Sequence, residues 1–378
     1  MGASFATVAG SPVLSWLEPA PKQPGQGQPA DRERWRLRVS RLDASSWSTP
    51  VTVTEGEDLL ANWADFPAVG SNGSALVSHW LVQGVGAGEA YSIALAGSGD
   101  GGATWRRLGR LPADRTAAEH GFVSWVPDRL EGGGLRAFWL DGRGMADGGP
   151  MALRSALVDP ERGASGEELL DERVCDCCQT DAAMTSDGPI VVYRDRSPEE
   201  IRDIAIRRLT PAGWSAPALV YADGWHIEGC PVNGPAVAAS GRKVAVAWFT
   251  GAPSPRVLLA FSDDSGATFS PPIPLDTETP LGRVDLVLDR QGSAIVSWLG
   301  QEPGKSERSA LRLRRVSPSD ESAPAITLAT TSSARANGFP RLLLAEDRNL
   351  MVAWTEPGSP GRLHAARVGL GRLGQAAP

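Results

Sequence analysis

Pro235-Ala236-Val237-Ala238-Ala239 is a short run of small residues, and Ser240-Gly241-Arg242 after it is a turn. Lys243-Val244-Ala245-Val246-Ala247-Trp248 is a second apolar run that stops on an aromatic residue, and Val257-Leu258-Leu259-Ala260-Phe261-Ser262 is a third. Runs of about six residues separated by glycine-marked turns read as hairpin strands. The aromatic stop recurs at Trp16, Trp80, Trp139, Tyr193, Trp248, Trp298 and Trp354, with gaps of 64, 59, 54, 55, 50 and 56 residues. A repeat of this length with several short strands per unit predicts an all-β fold, a β-propeller of four-stranded antiparallel blades. Seven aromatic-ended strands predict seven blades. The number falls to six if the first unit is shared with the last.

Composition agrees with one long repeat domain over residues 1–378, rather than two or three average ones. Apolar residues make up 42% of the chain, enough for a sizeable core, and 43 glycines with 30 prolines supply the many turns. The formal net charge of −7 argues against a nucleic-acid partner, which favours a basic stripe. No apolar run reaches the roughly 18 residues that would mark a membrane-spanning helix.

Two turns carry a sharper motif. Ser98-Gly99-Asp100-Gly101-Gly102-Ala103-Thr104-Trp105 fits Ser-x-Asp-x-Gly-x-Thr-Trp, and Ser262-Asp263-Asp264-Ser265-Gly266-Ala267-Thr268-Phe269 fits it with phenylalanine last. A carboxylate that accepts backbone N–H groups across a tight turn, with glycine at positive φ, gives the motif a local physics. Fainter echoes are Trp47-Ser48-Thr49-Pro50 and Trp214-Ser215-Ala216-Pro217, which match Phe269-Ser270-Pro271-Pro272. On these boxes the whole chain resembles the sialidase-like Asp-box propellers, also called bacterial neuraminidase repeat proteins.

The resemblance implies an exported protein, periplasmic or secreted, although Met1-Gly2-Ala3-Ser4-Phe5 enters the first strand without signal-peptide character. It also implies a checklist, since catalytic members pair a tyrosine with a glutamate and add an aspartate and three arginines. The expected Arg-Ile-Pro segment is absent, with Phe339-Pro340-Arg341 a loose echo. Tyr193 stands where other units carry Trp, so it reads as a structural aromatic, and neither Tyr91 nor Tyr221 has a partnering glutamate at a telling place. A classical sialidase is therefore not expected. Arg194, Arg196, Arg283 and Arg341 can reach the channel mouth, where guanidinium forks would suit a carboxylate. With Asp176, Asp181 and Glu228, Arg194, Arg196 and Arg341 form the candidate ligand-binding set. For each carboxylate alone, turn capping or solvation is the plainer reading.

The cysteines and histidines are the unusual feature. All four cysteines lie in Cys175-Asp176-Cys177-Cys178 and at Cys230, in connections between blades that open on the mouth face. His79, His120 and His226 are assigned to the same face, and His364 stands apart. One reading is disulfides, such as Cys178 to Cys230 or Cys175 to Cys178, in an exported chain. Another is a metal site of Cys175, Cys177, Cys178, Cys230, His226, His120 and His79, for which copper is the expected ion and zinc the second choice. A third is a cysteine nucleophile beside an imidazole.

Smaller features read structurally. Asn233-Gly234-Pro235 and Asn337-Gly338-Phe339-Pro340 recur before a first strand. Glu199-Glu200-Ile201-Arg202-Asp203 is a long loop over the face, and Pro19 to Arg34 a flexible one in the first unit. The seventh unit lacks a fourth strand, which a terminal segment is expected to supply. The leading expectation is a monomeric binding protein with a small-molecule, glycan or metal ligand at the mouth. A glycoside hydrolase using mouth carboxylates and an interaction scaffold with structural disulfides are the alternatives.

Overall fold

The computed structural model describes residues 2–21, 33–43, 46–84, 90–112, 116–128, 134–276, 279–302, 304–319, 323–345, 349–358 and 361–374. Most of the expected loop between Pro19 and Arg34 lies outside them. The described strands form seven separate antiparallel sheets, each wound in chain order. Blade one begins with Ala3–Val8, blade two with Ala68–Asn72, blade three with His120–Pro127 and blade four with Asp181–Thr185. Blades five, six and seven begin with Ala236–Ser240, Pro280–Leu288 and Arg341–Leu344. The seven-bladed propeller is thus present, and the six-bladed count is set aside.

The seven aromatic residues all sit on second strands. Trp80, Trp139, Tyr193, Trp248 and Trp298 are fully buried, because sheets stack face to face and a large ring fills the widening gap between them. Polar tips find partners nearby: Trp139 Nε1 donates to Asp141 Oδ2 at 2.9 Å, and Trp248 Nε1 to Asp223 Oδ2 at 2.7 Å. Tyr193 Oη donates to Asp171 Oδ2 at 2.6 Å, which fits its reading as a structural aromatic.

The Asp-box turns follow their chemistry closely. Asp264 Oδ1 accepts the Thr268 N–H at 2.9 Å and the Ser262 hydroxyl at 2.8 Å, while Oδ2 accepts the Thr268 hydroxyl at 2.7 Å. Asp100 repeats this set, and hydrogen bonds from Thr104 hold its pKa at about 2. Gly266 stands at φ 79° and Gly102 at φ 93°, where a side chain would be strained. The fainter echoes share one device. Ser48, Ser215 and Ser270 each accept a third-strand N–H on the hydroxyl (from Arg41, Arg208 and Phe261) and donate their own N–H to the same residue's carbonyl.

Neighbouring blades are stitched at the channel. An innermost strand has one unpaired edge, and its N–H groups need acceptors. Val237 N donates to Asp181 Oδ2 at 2.7 Å, and Leu342 N to Asp285 Oδ2 at 2.6 Å. Ser124 and Thr180 hydroxyls meet at 2.8 Å.

Closure differs from expectation. Ala3–Val8 is the innermost strand of blade one and does not complete blade seven. Blade seven has three described strands, followed by a 3-10 turn at Leu370–Gly374. The seam between blades seven and one is held by a small cluster of Ala3, Leu14 and Ala353 with partly buried Phe5, Trp16, Trp47 and Leu363.

At the mouth, the segments that enter the blades pack on one another. Trp63 stacks on Phe339 with ring centroids 6.4 Å apart, and Phe66 lies 5.9 Å from Phe339. The Arg283 guanidinium covers Trp63 at 5.2 Å, and Arg341 covers Phe66 at 5.0 Å. Gln179 Nε2 donates to the Ala64 carbonyl at 2.7 Å, and its Oε1 accepts the Gly234 N–H at 3.1 Å. One amide thereby joins the loops that enter blades two, four and five.

Candidate metal centre

The outer strand of blade three, Gly163–Val174, ends beside blade four, where Val174 bridges Asp195 and the Cys175 N–H donates to the Arg194 carbonyl at 3.0 Å. This docking turns the next residues into a tight loop facing inward. Cys175 and Cys178 are each 1% exposed, Cys177 is half-buried and Cys230 is exposed. Cys175 Sγ lies 3.4 Å from Cys178 Sγ and 4.0 Å from Cys177 Sγ, and the three sulfurs all fall within 4.8 Å of one another. A second group, Asp176, Cys177 and Cys230, meets the same limit, with Cys230 Sγ 3.9 Å from Asp176 Oδ1. All four cysteines are free thiols in this structure, and Cys230 approaches Cys177 rather than Cys178.

Charge enters from Arg202, whose side chain is only 4% exposed. Its Nη1 donates to Cys175 Sγ and to Asp176 Oδ1, both at 3.3 Å, and its Nη2 to Glu200 Oε2 at 2.8 Å. Arg196 grips Glu200 from the other side, with Nη2 to Oε1 at 2.7 Å. Guanidinium is a donor only, so Cys175 sulfur is an acceptor there. Hydrogen bonding with the Cys177 and Cys178 sulfurs, and then nearby positive charge, holds Cys175 well below the usual thiol range. The hydrogen bond to Cys175 pushes Cys177 up, and burial pushes Cys178 up. Three clustered sulfurs with a buried cation beside them are a soft donor set, of the kind that can exchange protons for a metal ion.

The histidines do not join it. Among the described residues neither ligand group contains a histidine. His79 is turned into the interface of blades two and three, where Nδ1 accepts the Trp125 indole N–H at 3.0 Å and burial pushes its pKa down to about 3. His120 is fully buried between Asp141, 3.3 Å from Nδ1, and the Thr116 carbonyl, 3.3 Å from Nε2. His226 is exposed and is paired through its backbone with Ile201. His79 and His120 are instead held by packing partners within their own blades and between blades two and three.

The ligand-binding set also separates. Arg194 is 1% exposed, stacks on Trp225 at 4.8 Å and donates to the carbonyls of Asn233, Arg202 and Phe249, so it braces the loops and is closed to a ligand. Arg196 is bound to Glu200, Asp176 to Arg202, and Arg341 Nη1 lies 3.5 Å from Asp285 Oδ1. Asp181 accepts the Val237 N–H, and burial raises its pKa to about 7. Glu228 is exposed. Arg202 escaped the sequence reading as a site residue. Its signal was the Arg196, Glu200, Arg202 alternation within a loop already placed over the face.

A cleft of about 430 Å³ lies beside blades two and three, lined by Tyr91, Arg110, Thr116 and His120 among others. Burial and the charges of Asp65 and Glu119 push the Tyr91 hydroxyl pKa up, so this tyrosine does have acidic neighbours.

A ring of seven blades with Asp-box turns places the chain in the β-propeller class. No family model and no curated protein matches it. Among solved structures it is similar to the BP39L lectin from Burkholderia pseudomallei, at 14% identity and TM-score 0.63, over 97% of this chain and 96% of the lectin. It is also similar to an ulvan lyase of polysaccharide lyase family PL25, at 11% identity and TM-score 0.61, over 97% of this chain and 91% of the lyase. The leech intramolecular trans-sialidase aligns at 10% identity and TM-score 0.52, over 96% of this chain and 84% of the enzyme. At these identities the likeness concerns fold alone, and that fold is the seven-bladed β-propeller.

Proposed function

We propose that this chain is an exported, monomeric binding propeller whose Cys175-Cys177-Cys178 loop holds a soft metal ion, copper(I) first and zinc second. The observation that carries the reading is three sulfurs of one loop within 4.8 Å of one another, two of them buried. Thiolates are soft donors that select copper(I) or zinc. Structural zinc takes four ligands in a tetrahedron, whereas the inner group offers three sulfurs and no imidazole. Low coordination suits copper(I). In an oxidising compartment an ion would also keep these thiols from pairing.

The test is elemental analysis of protein purified without chelator or affinity metal, with a thiol count under denaturing conditions. Stoichiometric copper, with thiols that become reactive only after chelation, is the expected result. Metal-free protein without free thiols would make the cysteines disulfide staples and end the reading.

A second reading is favoured by the Tyr91 cleft and by the carbohydrate-associated names of similar folds: a glycan site on blades two and three. Titration with acidic and neutral oligosaccharides should give saturable binding that Tyr91→Ala weakens. Equal binding by the variant would place any glycan elsewhere.

A further inference from the structure

We propose that the four cysteines form a two-station path, in which Cys177 passes the ion from an exposed outer station to a buried inner one. The inference rests on the metal-holding reading above. Cys177 is the one residue common to both ligand groups, with Asp176 and Cys230 on one side and Cys175 and Cys178 on the other. Exposure falls along the same line, from exposed Cys230 through half-buried Cys177 to the 1% exposed inner pair. Arg202 Nη1 donates to a ligand atom of each station, Asp176 Oδ1 and Cys175 Sγ, both at 3.3 Å. The two stations are therefore built around one shared cation.

The chemistry gives the arrangement a purpose. A bare ion is costly in a low-dielectric interior, so it must carry donors inward with it. Ligands spaced as these are allow stepwise exchange. Copper(I) arrives on Cys230, Cys177 and Asp176, and each sulfur releases its proton as it binds. The Cys175 sulfur–metal bond forms as the Asp176 oxygen leaves, and the Cys178 bond forms as Cys230 leaves and takes back a proton. Cys177 stays bound throughout, and the ion remains monovalent, so no oxidant or reductant is needed.

The experiment mixes reduced full-length protein, without oxygen, with copper(I) presented as its bicinchoninate complex, and follows loss of that complex by stopped flow. The native chain should load with a fast phase. Cys230→Ser should lose that phase yet reach the native final occupancy, because the inner sulfurs remain. Cys175→Ser with Cys178→Ser should keep rapid capture but give the ion up to excess bathocuproine disulfonate. Loading of Cys230→Ser at the native rate would overturn the path and leave the metal reading intact. A reduced final occupancy in that variant would also overturn it, by making Cys230 a resident ligand. No uptake by the native chain would remove the metal reading itself. Circular dichroism of the double variant separates lost binding from lost folding, and Cys177→Ser, which breaks both stations, should abolish both capture and retention.

Discussion

Asp65 illustrates what a single side chain can do to the pH response of this fold. It is 2% exposed at the mouth, and burial, with Glu119 nearby, raises its pKa to about 7. Between its ordinary value near 3.8 and about 7 the folded state holds a proton that the unfolded state has lost. Stability from this group is then full below the lower value, declines as pH rises through the window, and stays low above it. Asp65→Asn removes the titration. Comparing thermal midpoints from about pH 4 to about pH 8, the native chain should lose stability relative to the variant by up to about 1.4 kcal/mol per pH unit. A constant difference across that range would mean that Asp65 is ionised in the folded state.

At the level of strands and turns, sequence reading succeeded where the signal was local. The Asp-boxes at Asp100 and Asp264 depend on residues within four positions, and their bonds follow from composition. The aromatic stops marked second strands because each blade presents the same gap to its neighbour. The cysteines were legible as a loop cluster because three lie within four residues and the fold brings Cys230 beside them. His79 and Arg194 were not legible. Strand-end position gave their face of the ring, but side-chain direction was set by Trp125 and by the carbonyls of Asn233 and Phe249, far away in sequence. Blade seven was legible in part. Its missing fourth strand and the placing of Ala3-Ser4-Phe5 in the first strand of blade one could both be read from the sequence, while the expected completion by a terminal segment is not seen among the described residues.

For the molecule as a whole, closure is the uneven feature. Among the described residues, thirteen buried apolar ones form the cluster between blades five and six, against three at the seam of blades seven and one. Regions with little buried apolar contact open at lower free energy than the core. Amide hydrogen exchange should therefore be fastest, among the second strands, in Ser11–Pro19 and Asn349–Glu356, and slowest in Lys243–Thr250 and Ala294–Glu302. Uniform protection around the ring would show that the seam is as strong as the other interfaces.

The amide of Gln179 bonds to the loops of both blade two and blade five, so one side chain couples two entries that lie far apart in sequence. Trp63, Phe66 and Phe339 pack on one another at the same end of the ring. Losing that amide would free both loops at once, and a local change at residue 179 would be felt two blades away on one side and one blade away on the other.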